Sequence, residues 1–311
     1  MIIVDFSQIF LAPIHTDGVL KSAAMNPCEE SKNILTHTVL NSLRFNFVKH
    51  KPTYGTEMVI ACDNSSWRRD YFPNYKYRRR LNRGSDESGI DWKFIGEVQN
   101  SIIEDLKNFY PFTVVKYPKA EGDDIIGALV KRVSERVSED TNIFGDPEVE
   151  EILIISSDTD HYQLQTYKNV KQWHPVKKKM VKGDCSADIY LLKKIIGGDG
   201  GDDIPNIRMG DNTFVNNDRQ KPITEKFCAS FITAHKAGRE PHEGQPDDIR
   251  AGFDRNRTLI DYRRIPKEIY TGIVECYNES TNQRNFNKMK LLNHLSSRGM
   301  KELYTKIGDF F

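Results

Sequence analysis

Two carboxylates, Asp158 and Asp160, follow the run Glu151-Ile152-Leu153-Ile154-Ile155-Ser156-Ser157 at a spacing of i, i+2. A run of β-branched and aliphatic residues is the pattern of a strand buried on both faces. In open α/β sheets ligands gather outside the carboxyl ends of the strands, so acids at such an end could hold a divalent metal or face a phosphate. An isolated Asp-x-Asp also serves as a polar turn or a helix N-cap, and alone the pair does not decide between these readings. The pattern, however, repeats. Ile2-Ile3-Val4 ends at Asp5, Met58-Val59-Ile60-Ala61-Cys62 ends at Asp63, and the segment 112–117 leads into Glu121-Gly122-Asp123-Asp124. Acids in a first helical turn complement the helix dipole, but three of them just after a strand exceed what capping needs. Asp199 and Asp202 stand among Gly197, Gly198, Gly200 and Gly201, where the backbone can approach a ligand closely. An Asp delivered by an N-terminal strand also opens many phosphatases, but those place a second acid two residues on, where this chain has Ser7.

Carboxylates crowded into one pocket resist joint ionisation. Two divalent cations about 3.5–4 Å apart would relieve that repulsion, activate water and stabilise the departing oxygen of an in-line displacement. An all-oxygen donor set without His or Cys points to Mg²⁺, with Mn²⁺ able to substitute, rather than to zinc.

The elements that must position these acids can be read from spacing. Segments 34–49, 91–110 and 186–196 carry apolar residues at helical intervals, for example Leu35, Val39, Leu43 and Phe47. Strand, helix and strand, with an acid ending each strand, predict right-handed parallel crossovers. Residues 169–173 predict a further strand, 134–150 a surface loop, and 238–254, rich in Gly, Pro and Asp, a linker or loop. Helices are predicted over 223–236, 266–278 and 286–306. The fold class expected is α/β with a mostly parallel central sheet over 1–183, followed by an all-helical domain over 184–311.

Between the second strand and the 91–110 helix, residues 67–83 place seven basic residues against one acid and interleave five aromatics. Such a surface holds phosphates and stacks on bases, whereas a merely solvated basic segment has no use for aromatics. Arg69, Tyr75, Arg78, Arg80 and Arg83 are the nucleic-acid candidates here, and the basic turn Lys177-Lys178-Lys179 supplies three more. The polar stretch 84–89 predicts an arch or lid over about 65–92 that orders on substrate binding. Committing eight of the 44 acids to a metal site leaves 36 against 45 basic residues, a positive remaining surface despite the net charge of +1.

Composition closes off other classes. No apolar run approaches the ~20 residues of a membrane span. Met1 leads straight into Ile2-Ile3-Val4, so no export signal is expected. Five scattered cysteines without a Cys-x-x-Cys argue for reduced thiols in the cytoplasm and against a zinc ribbon or disulfide framework.

The ordered set of Val4-Asp5-Phe6-Ser7-Gln8, Cys62-Asp63-Asn64, Trp67-Arg68-Arg69-Asp70, Glu121-Gly122-Asp123-Asp124, Ile154-Ile155-Ser156-Ser157-Asp158-Thr159-Asp160 and Val170-Lys171-Gln172-Trp173 resembles the 5′-nuclease superfamily of flap endonucleases and 5′–3′ exonucleases, nearest its phage ribonuclease H branch. No single piece is specific; the order is. The resemblance implies a PIN-like core with a helical arch and a two-magnesium site. Asp5, Asp63, Asp123 and Asp158 would bind the first ion with Glu121 nearby. Asp160, Asp199 and Asp202 would surround the second, mostly through water, with Asp124 behind the ligands. Arg68, Lys76 and Arg79 match the arch residues that contact the scissile phosphate. The implied activity is 5′ to 3′ hydrolysis of RNA–DNA hybrid and duplex DNA, with cutting of 5′-flap or forked DNA. That fits removal of RNA primers in phage lagging-strand replication, in the host cytoplasm. The family often has Asn at the position of Asp203, and its Gly-rich hairpin is not evident in Arg208-Met209-Gly210-Asp211.

The likeness also implies a monomer that meets a sliding clamp and a single-strand-binding protein. Phe310 and Phe311 would form a clamp-binding tail, unless a last helix tucks them into the core. A non-catalytic structure-specific DNA binder would keep the basic segment without needing every carboxylate. A small ribonuclease of the four-acid type would account for neither the arch nor the helical half.

Overall fold

The structure is a computed structural model describing residues 1–82, 88–136, 149–283 and 286–311. Arg83 lies outside the described residues, as do most of the predicted loop 134–150 and most of the polar stretch 84–89.

The chain opens with β1 (Ile2–Asp5), α1 (Phe6–Thr16), α2 (Gly18–Met25), the long α3 (Glu29–Tyr54) and β2 (Met58–Ala61). Two short helices, α4 (Arg68–Tyr71) and α5 (Tyr77–Asn82), precede α6 (Trp92–Phe109), β3 (Thr113–Val115), α7 (Gly122–Ser134) and β4 (Ile152–Ile155). A 3-10 helix, Thr159–Thr166, leads to β5 (Val170–His174) and β6 (Lys179–Met180). Helices α8 (Ala187–Gly197), α9 (Glu225–Lys236), α10 (Asp247–Ile260), α11 (Lys267–Asn282), α12 (Lys288–Ser297) and α13 (Lys301–Thr305) follow, with a last 3-10 turn at Ile307–Phe310.

Among the described residues the strands form a six-stranded sheet in the order β3-β2-β1-β4-β5-β6. Every pairing is parallel except that of β6 with β5. This is the expected α/β class. Side chains alternate across each strand, so Ile2 and Val4 enter one apolar cluster, shared with α3 and α6, while Ile3 enters the other, shared with α7 and α11. Both faces of the sheet are thereby covered, which is why the central strands read as unbroken apolar runs. A third cluster joins α8, α9 and α10 to Phe72 and Tyr75. From the C-terminal end, Leu291, Leu295, Leu303 and Phe310 return to the cluster of α3 and α6. No helix among the described residues is long and apolar enough to cross a membrane.

Two elements depart from the sequence reading. Residues 238–254 are not a continuous loop, because α10 begins at Asp247 and buries Ile249 and Phe253. Pro246 sits at its N-cap position with Asp247 and Asp248 in the first turn. These residue types start helices as readily as they populate loops. The predicted helix 286–306 is likewise broken, at Gly299 with φ +67°.

Candidate metal centre and nucleic-acid interface

The parallel sheet brings the strand-end acids to one rim. Asp5 closes β1, where one carboxylate oxygen accepts from Gln8 N and caps α1, and the other accepts from Ser156 Oγ at 2.8 Å. Asp63 follows β2, accepting from Ser7 Oγ and, at 2.6 Å, from Gly122 N. A Cβ at Gly122 would stand 3.1 Å from that Asp63 oxygen, so the glycine lets the start of α7 close onto β2. Asp158 follows β4 and caps the 3-10 helix by accepting from Asp160 N at 2.8 Å.

Asp123 stands in the first turn of α7. Its carboxyl is pushed well up, first by its recessed position and then by Asp5, Asp158 and Asp63, against the opposing pull of His161. That imidazole departs from the all-oxygen expectation. His161 Nε2 lies 3.4 Å from Asp123 Oδ1 and 3.6 Å from Asp5 Oδ2. Ligating atoms of Asp5, Asp123 and His161 all fall within 4.8 Å of one another.

The remaining acids form two ion-paired groups. Glu121 accepts from Lys76 Nζ at 2.6 Å, Ser66 Oγ at 2.7 Å and Tyr75 OH at 2.9 Å. Burial alone would raise its carboxyl, but Lys76 and Arg68 outweigh that and hold it at about 2. Asp202 faces the same cations, 3.1 Å from Arg79 Nη2 and 3.7 Å from Lys76 Nζ. In the other group Lys194 Nζ bridges Asp160 and Asp199, at 2.8 and 2.9 Å, while Tyr190 OH donates to Asp160.

An open cleft of about 740 Å³ has Asp5, Asp63, Glu121, Asp123 and Asp158 in its lining together with Arg69, Lys76, Arg79 and Arg80. Acids and bases thus share one concavity, a shape able to hold cations and a polyanion together. Lys177 and Lys178 are exposed in the turn after β5 and Lys179 at the start of β6, at the same end of the sheet as the strand-end acids.

Several expected contacts are placed elsewhere. Arg68 is not at the cleft surface: it is buried, donating to Glu121, to Asp124 and through Nε to Leu259 O. Four-residue α4 turns it inward, and it fixes Asp124, which is fully buried and also accepts from Trp67 Nε1. Tyr75 is buried in the third cluster with its hydroxyl committed to Glu121 and Asp202, so its ring is not offered for base stacking. Arg78 pairs with buried Asp203 and lies over the Phe214 ring. Phe310 is fully buried against Tyr110 and Phe112, and only Phe311 keeps exposure, at 36%. Ser7, Ser156, His161, Tyr190 and Lys194 contact the acids without having been singled out. Ser7 and Ser156 carried the one available signal, a small hydroxyl beside a strand-end acid.

A family model described as 5′-3′ exonuclease, N-terminal resolvase-like domain, matches residues 21–189, and one described as T4 RNase H, C terminal, matches 185–310. Ribonuclease H of Enterobacteria phage T4 is 32% identical over 317 residues, covering 99% of this chain and 95% of that protein. Among solved structures, T5 5′-exonuclease with bound zinc superposes with a TM-score of 0.58 at 16% identity, over 90% of this chain and 99% of that one. A bacteriophage T5 flap endonuclease in a pseudo-enzyme-product complex with DNA and metal ions gives 0.54 at 14% identity, over 91% and 99%. Both share the fold.

Proposed function

We propose a reaction for a chain that belongs to the 5′–3′ exonuclease family, and is therefore a nuclease, a hydrolase of phosphodiesters. The reaction is Mg²⁺-dependent 5′ to 3′ hydrolysis of RNA–DNA hybrid and duplex DNA, with 5′-flap cutting. It leaves a 5′-phosphate and a 3′-hydroxyl, and its biological setting is RNA-primer removal on a phage lagging strand. The observation that carries this reading is the convergence of Asp5, Asp63, Asp123 and Asp158 in one cleft whose lining includes Arg69, Lys76, Arg79 and Arg80.

The donor set fits hard divalent cations, since carboxylate oxygens dominate it and Asp5, Asp123 and His161 can reach a common point. Asp5, Asp63, Asp123 and Asp158 would hold one ion beside Glu121, and Asp160, Asp199 and Asp202 a second through water. Ions so held supply an activated water and charge compensation for the departing oxygen.

The chain's own residues do the rest. Arg69 and Arg80 draw the phosphate backbone into the cleft. Lys76 and Arg79, paired with Glu121 and Asp202 here, redirect part of their ion pairing to the scissile phosphate when substrate enters. Arg68 acts through Asp124, holding the first turn of α7 and with it Asp123. The helical region 184–311 takes the duplex, and the turn Lys177-Lys178-Lys179 extends the positive track. A sliding clamp would meet the surface around Phe311, and a single-strand-binding protein is a further partner. A non-catalytic binder would leave the convergent carboxylates without a task.

The test is a product ladder on 5′-labelled RNA–DNA hybrid, nicked duplex and 5′-flap substrates with and without Mg²⁺. Metal-dependent release from the 5′ end that vanishes in Asp158→Asn is expected. Binding without release in Mg²⁺ would overturn the proposal.

A further inference from the structure

We infer that His161 is a nitrogen ligand of the metal centre and tilts it toward Mn²⁺ and later first-row divalent ions over Mg²⁺. The inference rests on the reading of Asp5 and Asp123 as metal ligands. It starts from an anomaly of satisfaction. His161 is fully buried; Nδ1 has no partner, and Nε2 faces the Asp123 and Asp5 carboxylates at ion-pair distance without closing a hydrogen bond to either. A buried polar atom without a partner carries its desolvation cost uncompensated, and such atoms in native folds call for a cause, a bound ion among them.

The geometry fits shared ligation better than a hydrogen bond. Nε2 stands 3.4 Å from Asp123 Oδ1 and 3.6 Å from Asp5 Oδ2, beyond the ~2.7–3.2 Å of an N–H···O bond. Two donors each about 2.1 Å from one divalent ion lie roughly 3.0–3.4 Å apart, depending on octahedral or tetrahedral angle. The two Nε2 distances are close to those of shared ligation, and the third side of the triangle lies within 4.8 Å. The ring has little freedom to turn away. His161 sits in the 3-10 helix capped by Asp158, its ring centroid is 5.9 Å from that of buried Tyr262, and the side chain has no solvent exposure. One edge of the imidazole is thus held toward Asp5 and Asp123 by packing.

The chemical consequence follows from donor type. Mg²⁺ gains little from an imidazole, whereas the affinity of later divalent ions rises with nitrogen donors. A site of carboxylates plus one buried nitrogen should discriminate more strongly between the two kinds of ion than a site of carboxylates alone.

The test uses the full chain, stripped of metal with chelator and titrated with Mn²⁺, read by electron spin-echo modulation from ¹⁴N. Wild type should show ¹⁴N coupling that disappears on ¹⁵N-histidine labelling and in His161→Phe. The Mn²⁺ over Mg²⁺ affinity ratio should fall about tenfold or more in His161→Phe, with Mg²⁺ affinity itself little changed. The labelled wild type keeps the test decisive even where the variant folds poorly. Mn²⁺ that binds stoichiometrically and is lost in Asp123→Asn, yet shows no ¹⁴N coupling, overturns the role of His161 and leaves the carboxylate site standing. Failure of wild type to bind Mn²⁺, or binding indifferent to Asp123→Asn, overturns both.

Discussion

Arg68 and Asp124 form a buried ion pair, with Nη1 2.8 Å from Oδ1. The pair locks α4 to the first turn of α7, and Arg68 Nε donates onward to the end of α10 at Leu259 O. Burial makes the loss of one charge of the pair far more costly than the loss of both. Arg68→Met should destabilise by about 3–5 kcal/mol by stranding Asp124, and adding Asp124→Leu should recover much of that loss. Urea unfolding of the two variants measures it. A phosphate-contacting Arg68 would instead lower turnover at unchanged stability.

Lys194 lies between Asp160 and Asp199 and offsets one of their two charges. Lys194→Met should cost the metal-free protein about 2 kcal/mol. The freed carboxylates should then let Mg²⁺ raise the melting temperature more steeply than in wild type. Paired thermal melts with and without Mg²⁺ give both slopes, and equal slopes would exclude Lys194 as a competitor of the cation.

Asp123 is crowded by Asp5, Asp158 and Asp63. Asp123→Asn should therefore raise the melting temperature of metal-free protein, by about 2–4 °C for each kcal/mol of repulsion removed, while abolishing hydrolysis. A metal-free variant melting below wild type would show that the neighbouring cations already cancel the repulsion.

The C-terminal pair should separate cleanly. Phe310 packs against Tyr110 at 5.2 Å between ring centroids, so Phe310→Ala should cost about 3–5 kcal/mol. Phe311→Ala should cost only about 1 kcal/mol, because its ring is partly exposed and meets Phe286 at 4.7 Å between centroids. Loss of a clamp response in Phe311→Ala with stability intact would assign the tail's partner role to that ring alone.

His50 offers a pH test remote from the metal centre. Burial, helped by Lys49, lowers its imidazole to about 4 from an ordinary 6.5. The unfolded chain therefore binds this proton first, and stability falls as pH drops below 6.5, with the penalty complete near 4. His50→Phe should flatten that part of the stability profile relative to wild type, as followed by denaturant midpoints from pH 7 to 4.

Legibility in the sequence followed locality. Ile2–Val4, Met58–Ile60 and Ile152–Ile155 are buried on both faces, so their apolar runs announced parallel strands and the acids at their ends announced the rim. Charge runs gave no such guidance. Arg68 and Arg69 are neighbours in one basic segment, yet a short helix turns the first into the interior and leaves the second lining the cleft. His161 and Lys194 were illegible for a related reason. Each meets acids from other elements, and no spacing along the chain records a meeting across β1, α7 and α8. Start signals for α10 were present at Pro246, Asp247 and Asp248, but the same residues also describe a loop.

The central position of β1 has a consequence for biosynthesis. Ile2 pairs with Met58 on one side and with Leu153 on the other. At about 5–20 residues per second, the first strand made waits on the order of ten seconds for its second neighbour to leave the ribosome. Through that interval an Ile-Ile-Val edge stands open to strands of other nascent chains. Soluble yield should thus respond to chaperone supply and to chain crowding during expression more than to the equilibrium stability of the finished fold.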